Sequence, residues 1–125
     1  VSEAEFINTA RKLEIFTLKQ CIRLPKRYTF YLGQRIADLA VAIYEDVIAA
    51  NSIFPQNQHE AQLRRDHLLQ ANAALFVLTS QIEVAGEVMD LNATAMSEWS
   101  GLIKSELALL KALIKSDHER FKGLS

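Results

Sequence analysis

The strongest constraint on the fold is a run of apolar residues that alternate at spacings of three and four along the second half of the chain. Residues at this spacing share one side of an α-helix, and the alternation is typical of the seam between helices of a bundle. A single helix leaves such a seam in water, so the chain is predicted to pack several helices around one core. The run consists of Leu68, Ala71, Leu75, Leu78, Ile82, Ala85 and Met89.

Helical periodicity of the same kind divides the chain into four segments that are joined by short breaks. Pro25 ends the first segment, because the residue before a proline avoids the α conformation. The stretch NSIFPQNQ, residues 51–58, supplies the Asn, Ser and Pro of a helix stop and restart, and Asn92 or Thr94 is the predicted cap of the last helix. The predicted helices cover about residues 2–23, with a capping box of Ser2 and Glu5, then from between 25 and 32 to 51, 58–89 and 92–121.

Each predicted helix presents an apolar face to the core. The faces are Phe6, Ala10, Leu13, Thr17 and Cys21 on the first helix, Leu32, Ile36, Leu39, Ile43 and Val47 on the second, and Met96, Trp99, Ile103, Leu107, Leu110 and Ile114 on the last. We therefore predict one all-α domain over residues 1–125 with the fold of an up-and-down antiparallel four-helix bundle.

The last helix has a second apolar flank, formed by Leu102, Leu109 and Leu113. One flank is enough for the core of a single chain, and the other would leave leucines in water unless another subunit covered it. We predict that these leucines form the interface of a homo-oligomer.

Composition indicates the cellular compartment of such a bundle. The single cysteine, Cys21, cannot form an internal disulfide, and no positively charged segment precedes an apolar run with a cleavage site. Charges interrupt the hydrophobic stretches before they reach the roughly 18 to 20 residues of a membrane span. These features predict a cytoplasmic protein without a membrane partner.

A search for catalytic and metal-binding motifs finds none that is complete. The Glu-x-x-His pattern of di-iron bundles fails because Gln56, Arg64 and Lys115 stand three residues before the histidines. The zinc protease motif lacks its second histidine, and the glycine-rich phosphate loops and the nucleophile elbow are absent. Cys21 fits a core position better than a nucleophile. We predict no catalytic residue, no metal and no cofactor, with a metal or small-molecule bundle enzyme as a remaining alternative.

Positive charge is concentrated at the first turn between helices. Residues 1–35 hold seven Lys or Arg against three acids, whereas the rest of the chain holds seven against twelve. Aromatic residues are interleaved with these cations, and together they suit the phosphates and unpaired bases of RNA or DNA. The predicted binding residues are Lys19, Arg23, Lys26, Arg27 and Arg35, with Tyr28, Phe30 and Tyr31 as stacking surfaces.

Two alternatives accompany this prediction. The three aromatic rings would close the end of the bundle while the cations are solvated or paired with acids of the second and last helices. Weaker basic patches also occur elsewhere, as a lysine stripe on the last helix and as the pair Arg64 and Arg65 on the third.

Three stretches, LPKRYTFYLGQRI, IYEDVIAAN and SEWSGLIKSELALLKALIKS, resemble the bacterial and phage four-helix-bundle family that includes the accessory variability protein of diversity-generating retroelements. Related bundles are encoded in intervening sequences of ribosomal RNA genes. The resemblance implies a pentameric barrel that binds nucleic acid and a reverse transcriptase and supports mutagenic cDNA synthesis without a catalytic centre.

By the same resemblance, Arg23, Lys26, Arg27 and Arg35 meet phosphate or an acidic partner surface, and Gly33 permits close approach of the helices. The chain departs from the strongly basic accessory proteins of that family, because its pI is near 6.3. This difference favours a protein partner or a restricted basic ring on the oligomer. The alternative function is a homo-oligomeric structural or protein-interaction bundle with no role in nucleic-acid binding.

Overall fold

The computed structural model describes residues 3–125, so the Ser2 part of the predicted capping box lies outside the described residues. Over this range the chain is all-helical, with four long helices and one short helical corner. The elements are α1 (Glu3–Ile22), α2 (Lys26–Tyr28), a π-helical turn (Thr29–Gly33), α3 (Gln34–Asn51), α4 (Gln58–Val88) and α5 (Ala93–Phe121). The all-α fold with four long helices is therefore confirmed.

The four long helices are arranged in a closed ring in which each helix packs against two others. α1 contacts α3 and α5, and α4 contacts the same two helices from the opposite side. Trp99, near the start of α5, donates to Thr17 near the end of α1. Arg64, near the start of α4, donates to Asp117 near the end of α5. Such pairs require neighbouring helices to run in opposite directions, so the bundle is antiparallel.

The core follows the predicted seams on α1 and α4. All five predicted residues of α1 are buried, and so are six of the seven on α4, while Met89 is half-buried. Cys21 is one of the buried residues, and burial raises the pKa of its thiol to about 11. A thiol that stays protonated is a poor nucleophile, which agrees with the prediction that Cys21 fills the core.

The buried seam of α5 differs from the prediction. It runs through Trp99, Ile103, Glu106, Leu110, Leu113 and Asp117. Leu113 is 3% exposed and belongs to the core, while Leu102 and Leu109 are half-buried and pack against that core. The prediction of a spare, water-exposed leucine flank is wrong for Leu113, because two seam positions are acidic and an apolar pattern alone misses them.

The corner between α1 and α3 is tight. Tyr28 N–H donates to the Pro25 carbonyl at 2.9 Å, and the chain then continues through the π-helical turn into α3. Gly33 is buried at this corner, and a β-carbon at its position would lie 3.2 Å from Leu24 Cδ1. The absence of a side chain at Gly33 therefore allows Leu24 to approach α3 closely.

The outer surface of α4 is unusually apolar. No Asp, Glu, Lys or Arg occurs between Asp66 and Glu83, and an 18-residue window of this helix reaches a mean hydropathy of 1.3. By length and composition the helix qualifies as a candidate membrane span, contrary to the expectation that charges interrupt every such stretch. The core seam accounts for only part of this character, since one third of the window is buried.

Candidate nucleic-acid interface

The predicted basic residues lie around one end of the bundle, which we call the basic corner: Lys19, Arg23, Lys26, Arg27 and Arg35. They come from the last turn of α1, the loop before Pro25, α2 and the first turn of α3. All five side chains are exposed. The antiparallel arrangement places the connection between α4 and α5 at this same end of the bundle.

The cations of the basic corner make no direct ion pair with the acids whose side chains the structure describes. Among the side chains that the structure describes, none of the five lies within 4.0 Å of a carboxylate oxygen. Arg27 instead stacks its guanidinium over the Tyr28 ring, 5.0 Å from the centroid. Of the two options in that alternative, direct pairing with acids of α3 and α5 is therefore wrong, whereas the exposure of all five side chains agrees with solvated cations.

The aromatic residues of the corner divide into two groups. Phe30 is 78% and Tyr31 74% exposed, and their rings meet edge to face with centroids 5.1 Å apart. Tyr28 is half-buried and lines a groove beside α1. The alternative that all three rings close the end of the bundle is wrong for Phe30 and Tyr31, which present flat apolar surface to water.

The groove has a volume of about 930 Å³ and runs between the basic corner and the α4–α5 connection. Lys19, Arg23 and Arg27 lie on its lining from the α1–α2 side. The structure does not bring Lys26 or Arg35 into this groove. Its opposite side carries Glu87, Asp90 and Glu98, which the sequence analysis did not connect with the site.

These acids change the electrostatics of the site. Three cations and three carboxylates give the groove no net formal charge, so it is suited to a ligand that carries both signs. Lys26, Arg35 and the exposed aromatic pair lie outside it and have no facing acid within ion-pair distance among the described residues. The surface best suited to an anionic strand is therefore the outer side of the corner.

The two weaker basic patches differ in their exposure. The lysine stripe of α5, Lys104, Lys111, Lys115 and Lys122, is exposed, and Lys122 pairs with Glu119 at 2.8 Å. Arg64 is 2% exposed and donates from Nε to Asp117 Oδ2 at 2.7 Å and from Nη1 to the Ala50 carbonyl at 3.1 Å. Its assignment to a basic surface is wrong, because this guanidinium links α4, α5 and the end of α3 inside the bundle.

Glu106 is a buried residue that the sequence analysis missed. It is 0% exposed, and neither carboxyl oxygen has a hydrogen-bond partner among the described residues. Burial raises the pKa of this carboxyl to about 8, because ionisation in apolar surroundings loses the solvation of the charge. The spacing from Ile103 to Leu110 could have revealed it, since a seam of three and four requires position 106 to face inward.

Glu106 has no metal-binding companions in the part of the chain that the structure describes. Between residues 3 and 125, no three or more His, Cys, Asp or Glu side chains are grouped so that they could hold an ion. His67 lies with Nδ1 2.9 Å from Asp46 Oδ1, which joins α4 to α3.

Comparison of the chain with protein-family models, with curated proteins and with solved structures finds no match. The resemblance to the retroelement accessory family remains a prediction.

Proposed function

We propose that this protein is a non-enzymatic, self-associating accessory protein that binds single-stranded nucleic acid at the basic corner. The observation that carries the proposal is the exposed Phe30–Tyr31 pair. It lies four residues along the chain from Lys26 and from Arg35, which make no ion pair in the described part of the chain. Cations attract the phosphate backbone, and exposed rings stack on unpaired bases, which a duplex does not offer.

The partner enzyme in this proposal is a reverse transcriptase of a diversity-generating retroelement. This part rests on the resemblance of residues 24–36 and of the later stretches. In that setting the corner would hold template RNA or its cDNA close to the polymerase during mutagenic copying. Co-purification of the chain with a co-expressed reverse transcriptase of such a retroelement tests the partner separately from binding of nucleic acid.

A fluorescence-anisotropy titration tests nucleic-acid binding. We expect a labelled 20-nucleotide single strand to bind more tightly than the matching duplex. The logarithm of the affinity should fall with the logarithm of the salt concentration with a slope of about −0.7 for each neutralised phosphate. No binding of RNA or DNA even at 20 mM salt would contradict the proposal.

Two sets of variants separate charge from stacking. The double variant K26E/R35E on the outer side of the corner should lose affinity and have a shallower salt dependence, because fewer phosphates are neutralised. The double variant F30A/Y31A should lose affinity with an unchanged slope, because stacking involves no counterion release. The matched charge control is K104E/K111E on α5, which makes the same change of charge and should bind like the wild type.

A second candidate function is a protein-interaction bundle without a role in nucleic-acid binding. The balanced charges of the groove favour it, because cations and acids on facing sides suit a peptide with both signs. If this candidate holds, R23E/R27E keeps assembly but loses partner binding, because both cations line the groove. Partner binding that survives R23E/R27E counts against it, and salt-dependent binding of single strands supports the first proposal.

A further inference from the structure

The end of the bundle opposite the basic corner has a second groove, between the first turns of α4 and the last turns of α5. Its volume is about 510 Å³, within the range of about 300–1,000 Å³ that is typical of small-molecule sites. Gln58 Nε2 donates to the Phe121 carbonyl at 2.6 Å and joins the two helices here. We call this the far-end groove, and its lining includes Ala61 and Arg65 of α4 and Asp117, His118 and Lys122 beside them.

The cations of the far-end groove come from the two weaker basic patches, which are distant in the sequence. Arg65 follows the buried Arg64 on α4, and Lys122 is the last member of the lysine stripe. His118 lies one turn before Lys122. The packing of α4 against α5 brings Arg65, His118 and Lys122 to the lining of one groove.

Asp117 contributes a carboxylate to the same lining, and this carboxylate is already bonded to two arginines. Its Oδ2 accepts from Arg64 Nε at 2.7 Å, and its Oδ1 accepts from Arg120 Nη2 at 2.6 Å. The two guanidinium groups more than offset the charge of Asp117. The positive charges of Arg65 and Lys122 therefore leave the far-end groove with a net attraction for anions.

The hydrogen-bond donors of this groove are available to a ligand. Arg65 is half-buried, and no hydrogen bond or ion pair reaches its side chain or that of His118 within residues 3–125. A guanidinium has five N–H donors, and removing them from water without partners costs free energy. Lys122 pairs with Glu119 at 2.8 Å, but both side chains are exposed, so this pair is weak and leaves donors on Nζ.

The chemistry of the lining favours one class of anion. A phosphate monoester carries a charge of about −1.5 to −2 at pH 7 and three acceptor oxygens, and arginine binds phosphate through two parallel N–H bonds. A carboxylate carries one charge and two oxygens, so it uses fewer of the available donors. The lining also has an apolar part, formed by Ala61, Phe121 and Leu124, which suits the organic group of an ester.

We propose that the far-end groove binds a small phosphate monoester. Arg65, His118 and Lys122 donate to the phosphate, and the organic group lies against the apolar part of the lining. The proposal is independent of nucleic-acid binding at the basic corner, because the two surfaces lie at opposite ends of the bundle.

An NMR titration of the ¹⁵N-labelled protein at constant ionic strength tests the site. The three probes are phenyl phosphate, inorganic phosphate and phenol. We expect phenyl phosphate to shift the backbone amide signals around Arg65 and His118. Inorganic phosphate should shift the same signals with lower affinity, because it lacks the organic group, and phenol should leave them unchanged, because it lacks the charge.

Charge-matched variants test the assignment of the donors. R65Q/K122Q should weaken binding of phenyl phosphate by about tenfold or more, because hydrogen bonds to charged groups are lost. K104Q/K111Q removes the same charge from α5 outside the far-end groove and should bind like the wild type. K26E/R35E should also bind phenyl phosphate like the wild type while it loses single-stranded nucleic acid, which separates the two proposals.

Three results would overturn the site. They are the absence of shifts with both phosphates, equal shifts with phenol and phenyl phosphate, or unchanged binding by R65Q/K122Q. Shifts spread evenly over the exposed lysines, Lys104 and Lys111 included, would likewise show a general attraction of anions. Displacement of phenyl phosphate from K26E/R35E by a 5′-phosphorylated strand, but not by its 5′-hydroxyl form, would support the phosphate chemistry and identify a strand end as its source.

Discussion

At the scale of single residues, polar groups occupy core positions that an apolar pattern would fill with leucine. Arg64 and Asp117 form a buried ion pair, and Thr17 Oγ1 accepts from Trp99 Nε1 at 2.9 Å. The third such group is the buried carboxyl of Glu106. The first two groups have hydrogen bonds that offset the loss of water, whereas Glu106 has none among the described residues. The protonation state of Glu106 should therefore affect the stability of the fold.

The pH dependence of stability tests this description of Glu106. The unfolded chain binds this proton with the ordinary pKa of 4.5, and the folded chain with a pKa of about 8. The folded state holds the proton more tightly, so this contribution to stability is complete below pH 4.5 and is lost as the pH rises to 8. The free energy of unfolding should fall by about 1.4 kcal/mol per pH unit within this window.

E106Q supplies the control for that experiment. The amide cannot ionise. In urea unfolding, the free energy of unfolding of the wild type should therefore fall relative to that of E106Q from pH 5 to pH 8. Glu14 also has a raised pKa, from burial and then from Glu45, but it is present in both proteins and cancels in the comparison. An equal pH slope in the two proteins would show that Glu106 is not buried as the structure has it.

The buried ion pair gives a second prediction at this scale. D117L should lower the free energy of unfolding by about 3–5 kcal/mol, because it leaves the Arg64 guanidinium buried without its carboxylate. Adding R64M should recover part of the loss, although the bonds from Arg64 to the end of α3 disappear as well. A double-mutant cycle by urea unfolding measures the coupling, and simple additivity would argue against a direct interaction.

At the scale of the helix, the register of α5 determines which leucines hold the bundle together. Leu113 belongs to the seam, while Leu109 lies one turn earlier at the edge of the core. The same register faces Asp117 toward Arg64 and directs Glu106 inward. One assignment of the helix face therefore explains both the ion pair and the isolated carboxyl.

Alanine substitution at the two leucines tests the register. L113A should cost about 2–5 kcal/mol of stability, because it leaves a cavity in a closed core. L109A makes the same chemical change at a half-buried position and should cost clearly less. A larger loss for L109A in urea unfolding would show that the helix face is assigned wrongly.

At the scale of the whole molecule, folding and the proposed self-association are coupled. An oligomer that forms only from folded chains stabilises the folded state by mass action, so the midpoint of thermal unfolding should rise with protein concentration. We expect such a rise between 1 and 100 μM. A concentration-independent midpoint for a protein that is oligomeric by mass would contradict this coupling.

Much of this architecture could be predicted from sequence because helical periodicity is local. The seams of α1 and α4 follow from the spacing of Phe6 to Cys21 and of Leu68 to Ala85, and Pro25 and residues 51–58 mark where helices end. The exposure of the five basic residues was equally accessible, since long charged side chains near a proline turn rarely enter a core.

Only the tertiary structure shows which side chains contact residues that are distant in the sequence. An arginine is expected at the surface from its residue type. Arg64 is buried because Asp117 and the Ala50 carbonyl at the end of α3 accept its hydrogen bonds. Glu87, Asp90 and Glu98 became part of the groove because the antiparallel bundle brings the α4–α5 connection to the basic corner. Spacing along one helix records which residues share a side, whereas the charge that a side chain faces depends on how the helices pack.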